Sequence, residues 1–191
     1  MARQLLRLLL FSLMLSPLAT SAEPSININT GYYPVFGMDA RSIHQSILQN
    51  GPLGNNGKRF HAYTQWKVDW SYRWIESASR CRLTQLTVTI DIDYMLPELQ
   101  STEALDEPLK SGWERYFQAL FKHEQQHKEY GVEAARELEK SLLALPAQPC
   151  STFETSLTDT AEKILDIYHQ LEKEFDIKTN HGINQGVILP G

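Results

Sequence analysis

His123-Glu124-Gln125-Gln126-His127 places two imidazoles four residues apart, with a carboxylate beside the first. On an α-helix, residues at that spacing stack on one face, so both rings can turn nitrogen lone pairs toward a single ion. Glu124 points off that line and can reach a water held there without taking a ligand position. Zinc lowers the pKa of a bound water toward about 7, and a carboxylate within hydrogen-bond reach can take its proton as the water attacks a polarised carbonyl. The five residues therefore read as an HExxH pattern, with His123 and His127 as zinc ligands and Glu124 as general base. With 6 His and 15 Glu among 191 residues, the pattern arises by accident in about one or two such chains per hundred, so its surroundings have to decide.

A catalytic zinc takes three protein ligands and keeps one position open, so a further ligand is needed. The extension that would add a histidine six residues after His127 is absent, because Tyr130 and Glu133 stand where glycine and histidine would be. His181 is the leading choice, since it sits on a Gly-flanked turn after the last amphipathic segment, which can fold back onto the motif. Asp176, His169 and Glu133 are the alternatives, Glu133 only if the chain bends at Gly131. Gly131, four after His127, continues the histidine stripe and leaves room beside the metal. His44 and His61 fall in a short helix and on a polar strand face, where neither has an evident task. Tyr130 lies near the stripe and suits packing better than contact with substrate.

The elements that must position these groups show in the periodicity. From Phe60 to Trp74 the even positions are apolar or aromatic except for Thr64, and Leu86, Val88, Ile90, Ile92 and Tyr94 resume the alternation after a loop at 75–80. Period two predicts a long antiparallel hairpin with one solvated face, on which Asp91 and Asp93 lie. Gly31–Gly37 predicts a short strand with edge character because of Pro34. Asp39 predicts the N-cap of a helix over 39–49. Pro97 is expected to end the sheet region and Pro108 to open a helix running to about 143 that carries the motif. Leu157, Ala161, Ile164, Tyr168, Leu171 and Phe175 mark a second amphipathic helix.

Residues 1–22 have the form of a secretory leader: Arg3 and Arg7, the apolar run Leu8–Leu15, then Ala19-Thr20-Ser21-Ala22, with cleavage expected after Ala22. Residues 23–191 then form one domain, and no later segment is apolar for the 18 or so residues that a membrane span needs. Of 18 basic side chains, the two in the leader are lost, leaving 16 against 23 acidic ones, which excludes a basic nucleic-acid surface. Cys81 and Cys150 are an even pair in an exported chain and are expected to form a disulfide around the motif helix.

Trp66-Lys67-Val68-Asp69-Trp70, Cys81, the helix with HEQQH, Cys150 and the tail Thr179-Asn180-His181-Gly182 together resemble a bacterial family of predicted secreted zinc-dependent proteases. The resemblance implies zinc at His123 and His127 with Glu124 catalytic, and it supports His181 as the third ligand. Phe175 departs from the tyrosine expected there. The expected fold class is α+β and zincin-like: an antiparallel sheet beside a long HExxH helix, with a second C-terminal helix. The expected function is a periplasmic or secreted zinc metallopeptidase acting on a peptide, protein or peptidoglycan amide. The alternative is a non-catalytic envelope or binding module with a structural metal site or none.

Overall fold

The alternation of the central sequence becomes a hairpin of β2 (Tyr63–Ser77) and β3 (Arg80–Leu99), joined at Ala78-Ser79. The structure is a computed structural model that describes residues 23–54, 57–100 and 105–189; the leader and its cleavage point lie outside these residues. Ala78 and Ser79 both adopt positive φ, 50° and 61°, the backbone of a two-residue turn whose twist matches that of the flanking strands. The expected six-residue loop is thus shorter, and the strands longer.

Along β3 the buried positions change phase, from Cys81 and Leu83 to Leu86, Val88, Ile90 and Ile92. The register gives the cause: Trp74 pairs with Leu83 and Arg73 with Gln85, so Thr84 is an extra residue. Such a bulge flips the inward-facing set from odd to even numbers.

β1 (Ser25–Val35) lies on the other side of β3, giving the order β1-β3-β2. It runs parallel to β3, from Ser25 opposite Thr89 to Val35 opposite Leu99, so the sheet is mixed where an antiparallel one was expected. Period two tells which residues face the core; it carries nothing about the direction of a neighbouring strand. Pro34 does lie on an edge strand. β1 begins earlier than expected because its polar residues have partners: Asn27 and Asn29 donate to the carboxylates of Asp91 and Asp93 at 2.8 and 3.1 Å. Pro97 does not end the sheet. Beyond Met95, β3 has lost β2 and keeps only β1 as a neighbour, and a strand with one open side tolerates a proline.

α1 (Ala40–Asn50) starts at Asp39, whose carboxylate accepts from Ser42 N at 2.8 Å while Ser42 Oγ accepts from Asp39 N. α2 (Glu107–Leu143) is capped by Asp106, has Pro108 in its first turn, and turns Tyr116, Leu120, Ala135, Leu138 and Leu142 into the core. It continues unbroken through Gly131. A Cβ there would come within 2.5 Å of Trp66 Cγ, so the space the glycine leaves is taken by the indole of β2 and not reserved for a metal. Gly131→Val is expected to cost about 1–3 kcal/mol, more than the few tenths gained in helix propensity. A lower urea midpoint with unchanged slope would register it.

β4 (Gln148–Pro149) pairs with Arg80 and Cys81. The Cys81–Cys150 disulfide ties that corner to the start of α3 (Cys150–Thr179). Closing a loop of 69 residues stabilises the fold by about 4 kcal/mol in the chain-entropy account, and such a bond belongs to a non-reducing compartment. α3 packs along α2 and buries Phe153, Leu157, Ala161 and Ile164. None of the described helices is long and apolar enough to cross a membrane.

Candidate metal centre

His123 and His127 lie on the inner face of α2, 4% and 8% exposed, where α3 reaches its last turns. Asp176 faces them from α3. His123 Nε2 and His127 Nε2 are each 3.1 Å from the same carboxylate oxygen, Asp176 Oδ1. The opposite ring nitrogens also have partners: His123 Nδ1 lies 2.8 Å from Gln185 Oε1 and His127 Nδ1 3.3 Å from Glu172 Oε1. Both partners are acceptors, so they hold the protons on Nδ1 and leave lone pairs on both Nε2 atoms.

Two bare nitrogens and a carboxylate oxygen then face one another with no hydrogen among them, an arrangement that a cation or an added proton must relieve. The donors fit zinc. Bonds of about 2.0–2.1 Å in a tetrahedron put ligand atoms about 3.3–3.5 Å apart, close to the spacing found. His123, His127 and Asp176 form one of two groups among the described residues whose ligand atoms lie close enough together to hold a metal ion; the other contains the disulfide sulfurs, which are not free to bind.

His181, the leading choice from the sequence, lies beside this trio and not in it. Its side chain is 60% exposed, with Nδ1 3.6 Å from Asp176 Oδ2. α3 stays helical to Thr179, so Asp176 is presented to α2. Left-handed backbone at Asn180, His181 and Gly182 then carries the next ring to the cleft rim. Glu133 is exposed on an unbroken helix. His169 stacks on Trp66, centroids 4.2 Å apart, and reaches the second oxygen of Glu172. Tyr130 packs edge-on against Phe175, as its packing reading has it.

The tail has a structural task. The turn at Gly182 and the 3-10 helix Ile183–Gln185 fold Gln185 over His123. Gly182 has φ 82°, and a Cβ on it would sit 2.6 Å from Val187 Cγ2 and 3.1 Å from His123 Cγ, so any side chain there would unseat the loop. Phe175 stacks on His123 at 4.9 Å and meets His127 edge-on at 5.3 Å, clamping both rings. Sequence reasoning missed Glu172 and Gln185. Glu172 had a signal, since it precedes Asp176 by one helical turn. Gln185 had none.

Glu124 is 4% exposed. Its Oε2 accepts from Thr64 Oγ1 of β2 at 2.7 Å, and the same hydroxyl lies 3.1 Å from the Glu124 carbonyl. Burial pushes its carboxyl up; the Thr64 hydrogen bond and the two imidazoles pull the other way without cancelling it. Glu124, His123, His127 and Asp176 all line a cleft of about 530 Å³ beside the start of β2.

With protein groups alone, burial pushes the His127 imidazolium down, but hydrogen bonds to Asp176 and Glu172 and the charges of Asp176 and Glu124 win and raise it to about 10. Asp176 is held well below the usual carboxylate range: burial opposes this, and the His123 and His127 hydrogen bonds outweigh it. A raised histidine stabilises the fold fully below its unfolded value near 6.5, and that contribution is lost as pH climbs through about 10. The depressed Asp176 contributes above its ordinary 3.8 and loses this in acid. Chelator-treated protein is therefore expected to lose melting temperature between about pH 6.5 and 10, a loss that zinc, by holding His127 neutral, removes. Thermal melts at several pH values, with and without zinc, check it.

Residues 30–182 match the family described as "Bacterial protein of unknown function (DUF922)". The chain belongs to that family. The DUF922 match runs from the middle of β1 to the Gly182 turn, so it takes in Thr64, the HEQQH helix, both cysteines, Glu172 and Asp176, and stops three residues short of Gln185. No curated protein and no solved structure matches the DUF922 chain.

Proposed function

We propose that this DUF922 protein is an exported zinc hydrolase, a metallopeptidase in type, with a zincin-like arrangement of HExxH helix against mixed sheet. The observation that carries the reading is the convergence of His123 Nε2, His127 Nε2 and Asp176 Oδ1, with Glu124 buried in the same cleft. These three ligands would hold the ion, and three protein ligands leave one tetrahedral position for water or substrate. Zinc, when bound, supplies an acidified water and a Lewis acid for an acyl oxygen. Glu124 takes the proton of the attacking water on its carboxylate and returns it to the nitrogen of the leaving amine. Thr64 fixes the rotamer of that carboxylate, and Gln185, Glu172 and Phe175 fix the imidazoles. The leader expected at residues 1–22 and the disulfide support export to the periplasm or beyond.

Protein purified without chelator is expected to contain one zinc per chain and to release new amino groups from casein peptides or peptidoglycan, reversibly blocked by chelation. One zinc with no hydrolysis of either would favour the second reading, a binding module in which the metal ties the tail to α2. Absence of zinc would defeat both.

A further inference from the structure

His61 was expected on a solvated strand face, yet it lines the same cleft as Glu124 and the two metal-facing histidines. It is held at both ends. Its backbone carbonyl accepts from Tyr33 Oη at 2.6 Å, and its Nδ1 lies 3.0 Å from Tyr116 Oη. Tyr116 belongs to the metal-facing side of α2, two turns before His123, and is fully buried. A phenol has one proton to donate, and among the described residues the hydroxyl of Tyr116 has only His61 as a hydrogen-bond partner. Burial also pushes its ionisation far above the ordinary value, so it remains a donor. Nδ1 of His61 is then the acceptor, and the ring proton sits on Nε2. Nε2 has no hydrogen-bond partner among the described residues. Burial and the nearby His44 both push the His61 imidazolium down, so the group is a neutral donor.

We propose that His61 is a substrate-binding residue of this cleft, donating its Nε2–H to a carbonyl oxygen of a peptide-like substrate, with Tyr116 as the positioning residue that fixes its tautomer. The inference rests on the hydrolase reading. An N–H on a half-buried ring that lines the cleft, with no protein acceptor among the described residues, exchanges water for a carbonyl oxygen when substrate enters. It narrows the substrate to one with carbonyl acceptors along the chain, as in a peptide, on the side of the cleft where β2 begins.

The test measures binding, by calorimetry on zinc-loaded protein. The probes are acetohydroxamate, which occupies only the metal position, and two peptide hydroxamates extending to either side of it, N-acetyl-dialanyl hydroxamate and 3-(hydroxycarbamoyl)propanoyl-dialanine amide. His61→Ala is expected to leave zinc content and acetohydroxamate affinity unchanged and to weaken one peptide hydroxamate by about 5- to 20-fold. His61→Gln, which keeps a donor, should recover part of the loss, a result that lost packing alone would not give. Tyr116→Phe retains the ring in the core and should weaken the same probe, so the inference stays testable if His61→Ala folds poorly. Equal affinity of wild type and all variants for both peptide probes overturns the role of His61 and leaves the zinc site standing. Failure of all three probes to bind zinc-loaded wild type overturns the hydrolase reading and this inference with it.

Discussion

Glu124→Gln is expected to lower turnover by about 10²- to 10⁴-fold, the usual contribution of a general base, with one zinc still bound. The substitution is nearly isosteric. The amide oxygen can still accept from Thr64 Oγ1, which holds the carboxylate at 2.7 Å, and both Nε2 atoms keep Asp176 Oδ1 as their partner. Replacing a 4% exposed carboxylate with a neutral amide also removes a desolvated charge, so the fold should be no less stable. What disappears is the ability to take a proton from water and return it to a leaving amine. Steady-state rates on casein peptides together with zinc content give the answer; full turnover with zinc bound would exclude Glu124 as the base.

Asp176→Asn is expected to lower zinc affinity by more than the 10- to 100-fold that loss of a partner behind a ligand costs, whereas His181→Ala should bind zinc as wild type does. The two substitutions separate the carboxylate that the structure sets against both imidazoles from the histidine the sequence favoured. Asp176 Oδ1 is within 3.1 Å of both Nε2 atoms, while His181 approaches only the other oxygen, at 3.6 Å. Asn keeps the size of Asp but gives up the charge that offsets the ion. In chelator-treated Asp176→Asn, the stability change between about pH 6.5 and 10 should shrink, because the hydrogen bond and charge that do most to raise His127 are gone. Competition with a chromogenic zinc chelator measures the affinities. Zinc lost in His181→Ala and kept in Asp176→Asn would reverse the assignment and require the Asn180–Gly182 turn to swing inward.

Much of the fold was legible because it is periodic. The hairpin, the long helix from Pro108, the capping of α1 by Asp39 and the helix through Leu157 and Ile164 all follow from spacings of two or 3.6 residues and from local hydrogen-bonding chemistry. The parallel pairing of β1 with β3 was not legible, since alternation describes a strand's faces and not its neighbours. The bulge at Thr84 was hidden because either phase of alternation there is acceptable by itself. Gly131 was recognised as a need for space, but its occupant, Trp66, comes from another element.

For the site, the sequence by itself determined the two histidines and Glu124, because their relation is set within five residues of one helix. It also determined the cysteine pair, since only two were present in a chain that reads as exported. The tertiary structure alone placed the rest: Asp176, and not His181, against both imidazoles, Gln185, Glu172 and Thr64 as their hydrogen-bond partners or that of Glu124, and His61 on the cleft wall. Distances within a helix are fixed by its geometry. Distances between elements depend on how far α3 runs along α2 before its left-handed cap turns the chain away, and that is a property of packing.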